Sequence, residues 1–154
     1  MPVFQEFYAA DFPRLRRHSN PDPLAARVVQ AAVDAGMRTV LATNPLYPRA
    51  AIVERLEWAG ISPDLFDLIT TYEHMHFCKP RPEYYREICS IIGCEPHECL
   101  MVGNDVDEDL VAAGAGMKTF LVNTAVRNRN SVQYVADYEG SLADLLDLIQ
   151  GGGL

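Results

Sequence analysis

Short apolar runs alternate with amphipathic segments along most of this chain, and this alternation limits its possible folds more than any other feature. Each apolar run has only a few residues, which is typical of a buried strand. Most of the amphipathic segments begin near a proline and end near a glycine, as helices do. Strands and helices that alternate in this way predict an α/β fold, with a parallel sheet covered by helices on both faces.

The elements of this repeat can be placed from the sequence. Four short apolar segments are predicted to be strands: 38–43, 66–71, 99–102 and 118–122. Four segments with helical spacing of apolar residues are predicted to be helices: 23–35, 48–59, 82–92 and 141–149. We therefore expect one core domain over residues 20–150, preceded by a helical segment at 1–19 and followed by a disordered tail at 151–154.

Composition and charge exclude several kinds of partner. The 154 residues include 13 Lys plus Arg against 21 Asp plus Glu, which gives a formal net charge of −8. Such a chain lacks the clustered cations that bind nucleic acid. No apolar run reaches the roughly 18 residues of a membrane helix, and none near the N-terminus suits a signal peptide. We expect a cytoplasmic protein whose four cysteines are free thiols.

Polar residues follow the first three predicted strands, at the sheet edge where parallel sheets bind ligands. Thr43 and Asn44 follow the first strand, Lys79 follows the second, and Asp105 and Asp109 follow the third. Hydroxyl and N–H groups donate to anionic oxygens, a lysine neutralises phosphate, and paired carboxylates suit Mg²⁺. Their order along the chain predicts a magnesium-assisted phosphoryl-transfer site.

Three stretches of the sequence resemble motifs II, III and IV of the haloacid dehalogenase-like (HAD) hydrolases. They are LATNP at 41–45, CKPRPEYY at 78–85 and MVGNDVDEDL at 101–110, and the similarity continues through AGAGMKTFLV at 113–122. The resemblance covers roughly residues 20–150. It implies a Rossmann-like core, Mg²⁺ as cofactor and, usually, hydrolysis of a small phosphorylated metabolite through an aspartyl-phosphate intermediate.

The resemblance also implies a role for each matching residue. Thr43, with help from the Asn44 amide, binds the transferred phosphoryl group, and Lys79 holds that group and the nucleophile. Asp105 and Asp109 bind Mg²⁺ or steady Lys79.

One motif departs from the family pattern. Motif IV more often reads Gly-Asp where this chain has Gly103-Asn104, with the acid one residue later. We favour Asp105 over Asn104 as the metal ligand, because Mg²⁺ prefers a charged oxygen.

Motif I, which carries the nucleophilic aspartate in this family, has no counterpart before Thr43. The resemblance therefore implies the C-terminal part of a larger hydrolase, with residues 1–19 as a remnant of its helical cap. Alone, the chain is predicted to be inactive. The alternative is a non-catalytic HAD remnant that binds phosphate or Mg²⁺, or serves as an interaction module. The substrate, and the choice among phosphatase, dehalogenase and phosphonatase chemistry, stay open because the cap largely sets them.

In the HAD core the motif I strand lies at the centre of the sheet, so its absence must be compensated. Unpaired backbone groups in an apolar interior cost about 1–3 kcal/mol each. Three arrangements would avoid this cost. Residues 2–8 could form a substitute strand, the strands at 38–43 and 99–102 could pair directly, or a strand from a second chain could make a homo-oligomer.

Overall fold

The structure, a computed structural model, describes residues 6–153 as an α/β protein. The chain divides into two compact units, one ending at His74 and the other beginning at Met75. Each unit has its own parallel sheet and its own helices. The predicted combination of parallel strands and helices is thereby confirmed.

The first unit contains two helices and a two-stranded sheet. Its elements are α1 (Pro23–Asp34), β1 (Val40–Leu41), α2 (Arg49–Trp58) and β2 (Leu68–Ile69). Shorter helical turns lie at Phe7–Asp11, Phe12–His18 and Pro63–Leu65. The two strands are parallel, with Val40 opposite Leu68.

Sequence signals explain the helix bounds in this unit. The Asp22 side chain accepts a hydrogen bond from the N–H of Leu24 at 2.9 Å, so it caps the start of α1. Helix α2 buries Ile52 and Leu56 against Ile69 of β2. This burial supplies most of the driving force, because short helices are stabilised mainly by packing.

Both strands of the first unit are shorter than predicted, and local hydrogen bonds explain why. The N–H of Thr39 donates to Asp67 Oδ2 at 2.8 Å instead of to a neighbouring strand. At the other end, the N–H of Thr43 turns back to the carbonyl of Leu41 at 3.1 Å. The ladder is therefore limited to β1 and β2 as bounded above, and Thr43 lies in the loop beyond it.

The second unit has a three-stranded parallel sheet in the order β3-β4-β5. Its elements are α3 (Pro82–Ile92), β3 (Leu100–Gly103), β4 (Lys118–Val122), β5 (Tyr138–Gly140) and α4 (Leu142–Gln150). Shorter helical turns lie at Pro96–Glu98, Leu110–Ala115 and Asn123–Ala125. Ser141 and Asp144 form a capping box at the start of α4.

The N-terminal segment forms two short turns rather than one regular helix. Phe7–Asp11 is a π-helical turn, and Phe12–His18 is a 3₁₀ helix with a proline in its first turn. Phe12 is buried and stacks on Trp58, with ring centroids 5.3 Å apart. This aromatic contact fixes the segment on α2.

One of the three expected compensations for a central strand can be compared in part with the structure. Each described sheet lies within one unit, with β1 paired to β2 and β3 paired to β4. Direct pairing of 38–43 with 99–102 stays a prediction. A substitute strand at 2–8 is wrong for Glu6, Phe7 and Tyr8, which are helical, and residues 2–5 lie outside the described part of the chain. Pairing with a second chain stays a prediction.

No helix within residues 6–153 combines the length and apolar character needed to cross a membrane.

The start of β4 is held by a carboxylate. Asp137, just before β5, accepts hydrogen bonds from the Thr119 N–H at 2.8 Å and from the Thr119 hydroxyl at 3.0 Å. These two donors, the backbone N–H first, lower the pKa of Asp137. A lowered pKa means that the folded state favours the carboxylate, so Asp137 stabilises the fold wherever it is ionised.

We expect Asp137→Asn to lower the Tm at neutral pH relative to Asp147→Asn. Asp147 is an exposed residue of α4 whose side chain has no hydrogen bond within residues 6–153. The contribution of Asp137 should be complete above the unfolded-state pKa of about 4. It should disappear as the pH falls through the lower folded-state pKa. Thermal unfolding from pH 7 to pH 2 tests this, and a Tm gap between the variants that widens in acid would contradict it.

Candidate functional site

A buried ion pair lies at the centre of the candidate site in the second unit. Lys79 Nζ is 2.6 Å from Asp109 Oδ1, and the two side chains are only 5% and 9% exposed. Lys79 lies in the loop before α3, and Asp109 directly precedes the helical turn Leu110–Ala115. The Lys79 ammonium is also 5.9 Å from the centroid of the Tyr84 ring, close enough for a cation–π contribution. Two residues predicted for the site are thus in direct contact.

Two contacts fix the orientation of the Asp109 carboxylate: a hydrogen bond to its second oxygen, and close packing against Gly103, the last residue of β3. Asp109 Oδ2 accepts the N–H of Asp105 at 3.0 Å. A Cβ atom on Gly103 would lie 2.0 Å from Asp109 Oδ2, so only glycine allows this approach. Gly103 therefore has a role in the site that was not predicted from the sequence. The sequence signal that could have indicated this role is the glycine directly after the predicted strand 99–102.

Asp105 is buried and caps the acidic loop, defined here as residues 104–109. Its Oδ1 accepts the N–H groups of Asp107 and Glu108, each at 3.1 Å. Asn104 has a different use, because its side-chain amide donates to the carbonyl of Ala125 at 2.6 Å. Of the two motif IV candidates for a metal ligand, Asn104 is therefore used to hold the loop at Ala125. The metal-binding role of Asp105 stays a prediction.

Arg129 is a further residue of this site that was not predicted from the sequence. Its Nη2 lies 3.2 Å from Asp105 Oδ1, 3.1 Å from Asp105 Oδ2 and 3.2 Å from Glu108 Oε1. It comes from the connection between β4 and β5, more than twenty positions along the chain from Asp105. Only the folded structure brings the guanidinium and the acidic loop together.

Asp107 fastens the same connection to the acidic loop. Its carboxylate accepts the Asn130 side-chain amide at 2.7 Å and the Arg129 backbone N–H at 2.7 Å. These donors, Asn130 first, lower the pKa of Asp107. The Asp107 carboxylate therefore serves to hold the acidic loop and the connection together.

Helix α3 carries two buried tyrosines, and one of them is hydrogen-bonded to the acidic loop. The Tyr85 hydroxyl donates to the carbonyl of Glu108. Burial, and then the charge of Asp109, raise the pKa of Tyr85 far above its ordinary value, so the phenol stays a donor. Tyr84 is also fully buried. Both side chains therefore belong to the packed interior of the unit.

Thr43 and Asn44 belong to the first unit, in the loop beyond β1. The Thr43 hydroxyl donates to the carbonyl of Thr70 at 2.9 Å, and the Thr70 hydroxyl donates to the carbonyl of Thr43 at 2.8 Å. These bonds join the ends of the two strands. The buried Oδ1 of Asn44 has no hydrogen-bond partner among the described residues. Buried polar atoms are normally satisfied, so this loop can take one more donor.

All four cysteines are free thiols, as predicted. The sulfur atoms of Cys89 and Cys99 lie 3.9 Å apart. Burial, and then the neighbouring Cys89, raise the pKa of Cys99 to about 12. Cys99 is therefore almost entirely protonated at neutral pH and is a poor nucleophile.

The acidic loop can be tested for its fit to Mg²⁺, the cofactor that the HAD resemblance implies. Mg²⁺ is usually bound by one or two carboxylates together with waters and substrate phosphate. Asp105 and Asp109 supply two carboxylates of this kind from one short segment. Within residues 6–153, no group of three or more His, Cys, Asp or Glu side chains is arranged to hold a metal. Asp105 and Asp109 are therefore chemically suitable ligands for Mg²⁺. Most of its coordination shell would come from other oxygens, such as those of water and substrate phosphate.

We expect Gly103→Ala to destabilise the second unit by about 1–3 kcal/mol, because its methyl group would occupy the position of the Asp109 carboxylate. The matched control is Gly114→Ala, in an exposed turn where an added Cβ meets nothing within 4 Å. That control should change stability by less than about 1 kcal/mol. Urea unfolding of both variants measures the difference. Equal midpoints for the two would contradict the proposed crowding.

Comparison with known proteins agrees with this arrangement of motifs. A family model described as haloacid dehalogenase-like hydrolase matches residues 4–116. The pyrophosphatase PpaX of Halalkalibacterium halodurans is 27% identical over 144 residues, which is 88% of this chain and 66% of the relative. The chain thus spans slightly less than two thirds of that protein.

Solved structures show the same fold. The crystal structure of a HAD phosphatase from Thermococcus onnurineus matches with a TM-score of 0.70 at 26% identity, over 90% of this chain and 62% of that one. The L-2-haloacid dehalogenase of Xanthobacter autotrophicus matches with a TM-score of 0.64 at 19% identity, over 82% of this chain and 60% of that one. The second likeness concerns the fold alone.

Proposed function

This chain belongs to the haloacid dehalogenase-like hydrolases, and on that basis we propose that it carries the phosphate- and magnesium-binding part of a phosphate-ester hydrolase site. The proposed substrate is a small phosphorylated metabolite. The observation that carries the proposal is the buried Lys79–Asp109 ion pair beside the capped carboxylate of Asp105. The pyrophosphatase relative and the phosphatase structure support phosphate rather than halide chemistry.

Each residue has a proposed part in that chemistry. The compact charge of Lys79 neutralises a phosphoryl oxygen, and Asp109 holds the ammonium in place for this. Asp105 and Asp109 provide the carboxylates for Mg²⁺, which when bound neutralises charge on the transferring group. In the first unit, Thr43 and the Asn44 amide are proposed to donate to the phosphoryl group. Thr43 must then turn its hydroxyl away from the Thr70 carbonyl.

The nucleophilic aspartate is proposed to come from outside this sequence. No DxDxT-type motif precedes Thr43, so none of the residues described above supplies the attacking carboxylate. Strand β3 pairs with β4, and on its other side no strand is hydrogen-bonded to it within residues 6–153. An edge of this kind accepts an added strand. We propose that a complementing segment that carries the nucleophile pairs there. A second copy of the chain could occupy the same edge but would bring no nucleophile.

A non-catalytic binding module is the second candidate, and one observation favours it. Lys79 and Asp105 are both already paired within the chain, with Asp109 and Arg129 respectively. Such a module would bind phosphate or Mg²⁺ and would gain no activity from a complementing segment. Complementation therefore separates the two candidates.

We expect the isolated chain to show no Mg²⁺-dependent hydrolysis of p-nitrophenyl phosphate above background. Without a covalent route, positioning and electrostatics have little reaction to accelerate. Release of p-nitrophenol over time is the measurement. Robust turnover that Lys79→Ala abolishes would overturn the assignment and would require a replacement nucleophile.

We also expect the chain to bind inorganic phosphate in the presence of Mg²⁺, and Lys79→Met to weaken that binding by about tenfold or more, as for loss of a charged hydrogen bond. The control is Lys118→Met, which removes the other lysine of the chain, an exposed residue. Because loss of Lys79 leaves Asp109 unpaired and can unfold the unit, Thr43→Val serves as a second variant. Calorimetric titration gives the affinities. Equal phosphate binding by wild type, K79M and T43V would refute the phosphate role.

A further inference from the structure

Arg129 lies against the acidic loop and contacts three of its carboxylates. Its guanidinium contacts both oxygens of Asp105, at 3.2 and 3.1 Å, and reaches Glu108 Oε1 at 3.2 Å. Its Nε lies 3.9 Å from Asp107 Oδ2. Three carboxylates thus share one cation. We propose that Arg129 is an internal counter-ion that competes with Mg²⁺ for the carboxylate of Asp105, an inference that rests on the proposed magnesium site.

The partners of Asp105 show which oxygen is open to exchange. Oδ1 accepts two backbone N–H groups from Asp107 and Glu108 and is held by the loop itself. For Oδ2, the one contact given by the described residues is the ion pair with Arg129. A divalent cation can therefore bind Oδ2 without breaking the loop, provided that the guanidinium moves away.

The exposure of the Arg129 side chain keeps the free-energy cost of that exchange low. The Arg129 side chain is 53% exposed, whereas the side chain of Asp105 is 9% exposed. A half-exposed guanidinium can turn into solvent and recover its hydration, and solvent screening weakens its side of the ion pair. The buried carboxylate has no such alternative. We therefore expect Arg129 to lower the affinity of Asp105 for Mg²⁺ by a modest factor.

The backbone keeps the Arg129 loop in place when its side chain changes. Arg127 pairs with the acidic loop through its N–H to Asn104 and its carbonyl to Val106, both at 2.8 Å. The Arg129 N–H donates to Asp107 at 2.7 Å. Replacement of the Arg129 side chain should thus remove the competing cation and leave the connection where it is.

Arg127 provides a matched control. It lies two residues away on the same connection, is exposed, and its guanidinium has no ion pair or hydrogen bond within residues 6–153. Arg127→Gln and Arg129→Gln change the net charge equally. A difference between them reports local competition at Asp105 rather than the general field of an acidic protein.

The experiment is calorimetric titration of the chain with MgCl₂, at constant ionic strength and without phosphate. Wild type should bind Mg²⁺ weakly. R129Q should bind roughly threefold to fivefold more tightly, as expected for release from an ion pair whose cation is half exposed. R127Q should stay within about twofold of wild type. In the D105N background, R129Q should give no gain. The rise in Tm caused by Mg²⁺ should follow the same order.

The possible failures are distinguishable. Equal Mg²⁺ affinity for R129Q and R127Q overturns the competition and leaves the magnesium site standing. A gain from R129Q that persists in D105N assigns the effect to another carboxylate and also overturns it. Absence of Mg²⁺ binding in all the variants removes the magnesium part of the proposed function, and the competition with it.

Discussion

The site depends on one interaction, the buried ion pair of Lys79 with Asp109. Loss of either partner would leave an uncompensated buried charge, which costs about 3–5 kcal/mol, a large share of the stability of a small domain. Asp109 also accepts the N–H of Asp105 and lies directly over Gly103. One carboxylate therefore ties the loop before α3, the end of β3 and the acidic loop together. Its position follows from three independent constraints.

The acidic loop exists in a chain whose net charge is already −8, so its repulsion must be relieved locally. Lys79 neutralises Asp109 from within the unit, and Arg129 neutralises Asp105 from the solvent side. Backbone N–H groups supply the rest, since Asp105 accepts two of them. The two cations differ in exposure, 5% for Lys79 and 53% for Arg129. Lys79 is therefore a fixed part of the unit, whereas Arg129 can be exchanged.

Local signals allowed the helices, and part of the site, to be predicted from sequence. Capping by Asp22 and Ser141 was predictable because each cap acts within three residues. The loop positions of Lys79 and Asp109 followed from the ends of apolar runs. The contact made by Arg129 was not predictable, because its polar segment has no periodicity and its partner lies more than twenty positions away. Strand β5 was missed because three residues carry too little pattern.

The connection between β4 and β5, residues 123–137, is explained by the same site. Connections in compact domains are usually about 4–6 residues long, and much longer ones are generally functional or disordered. Its part from 125 to 130 is bound to the acidic loop: Ala125 accepts from Asn104, Arg127 pairs with Asn104 and Val106, and Asn130 donates to Asp107. Beyond the short helical turn Asn123–Ala125, these bonds hold a part of the chain that has no regular secondary structure. The connection therefore covers the acidic loop and brings Arg129 into contact with Asp105.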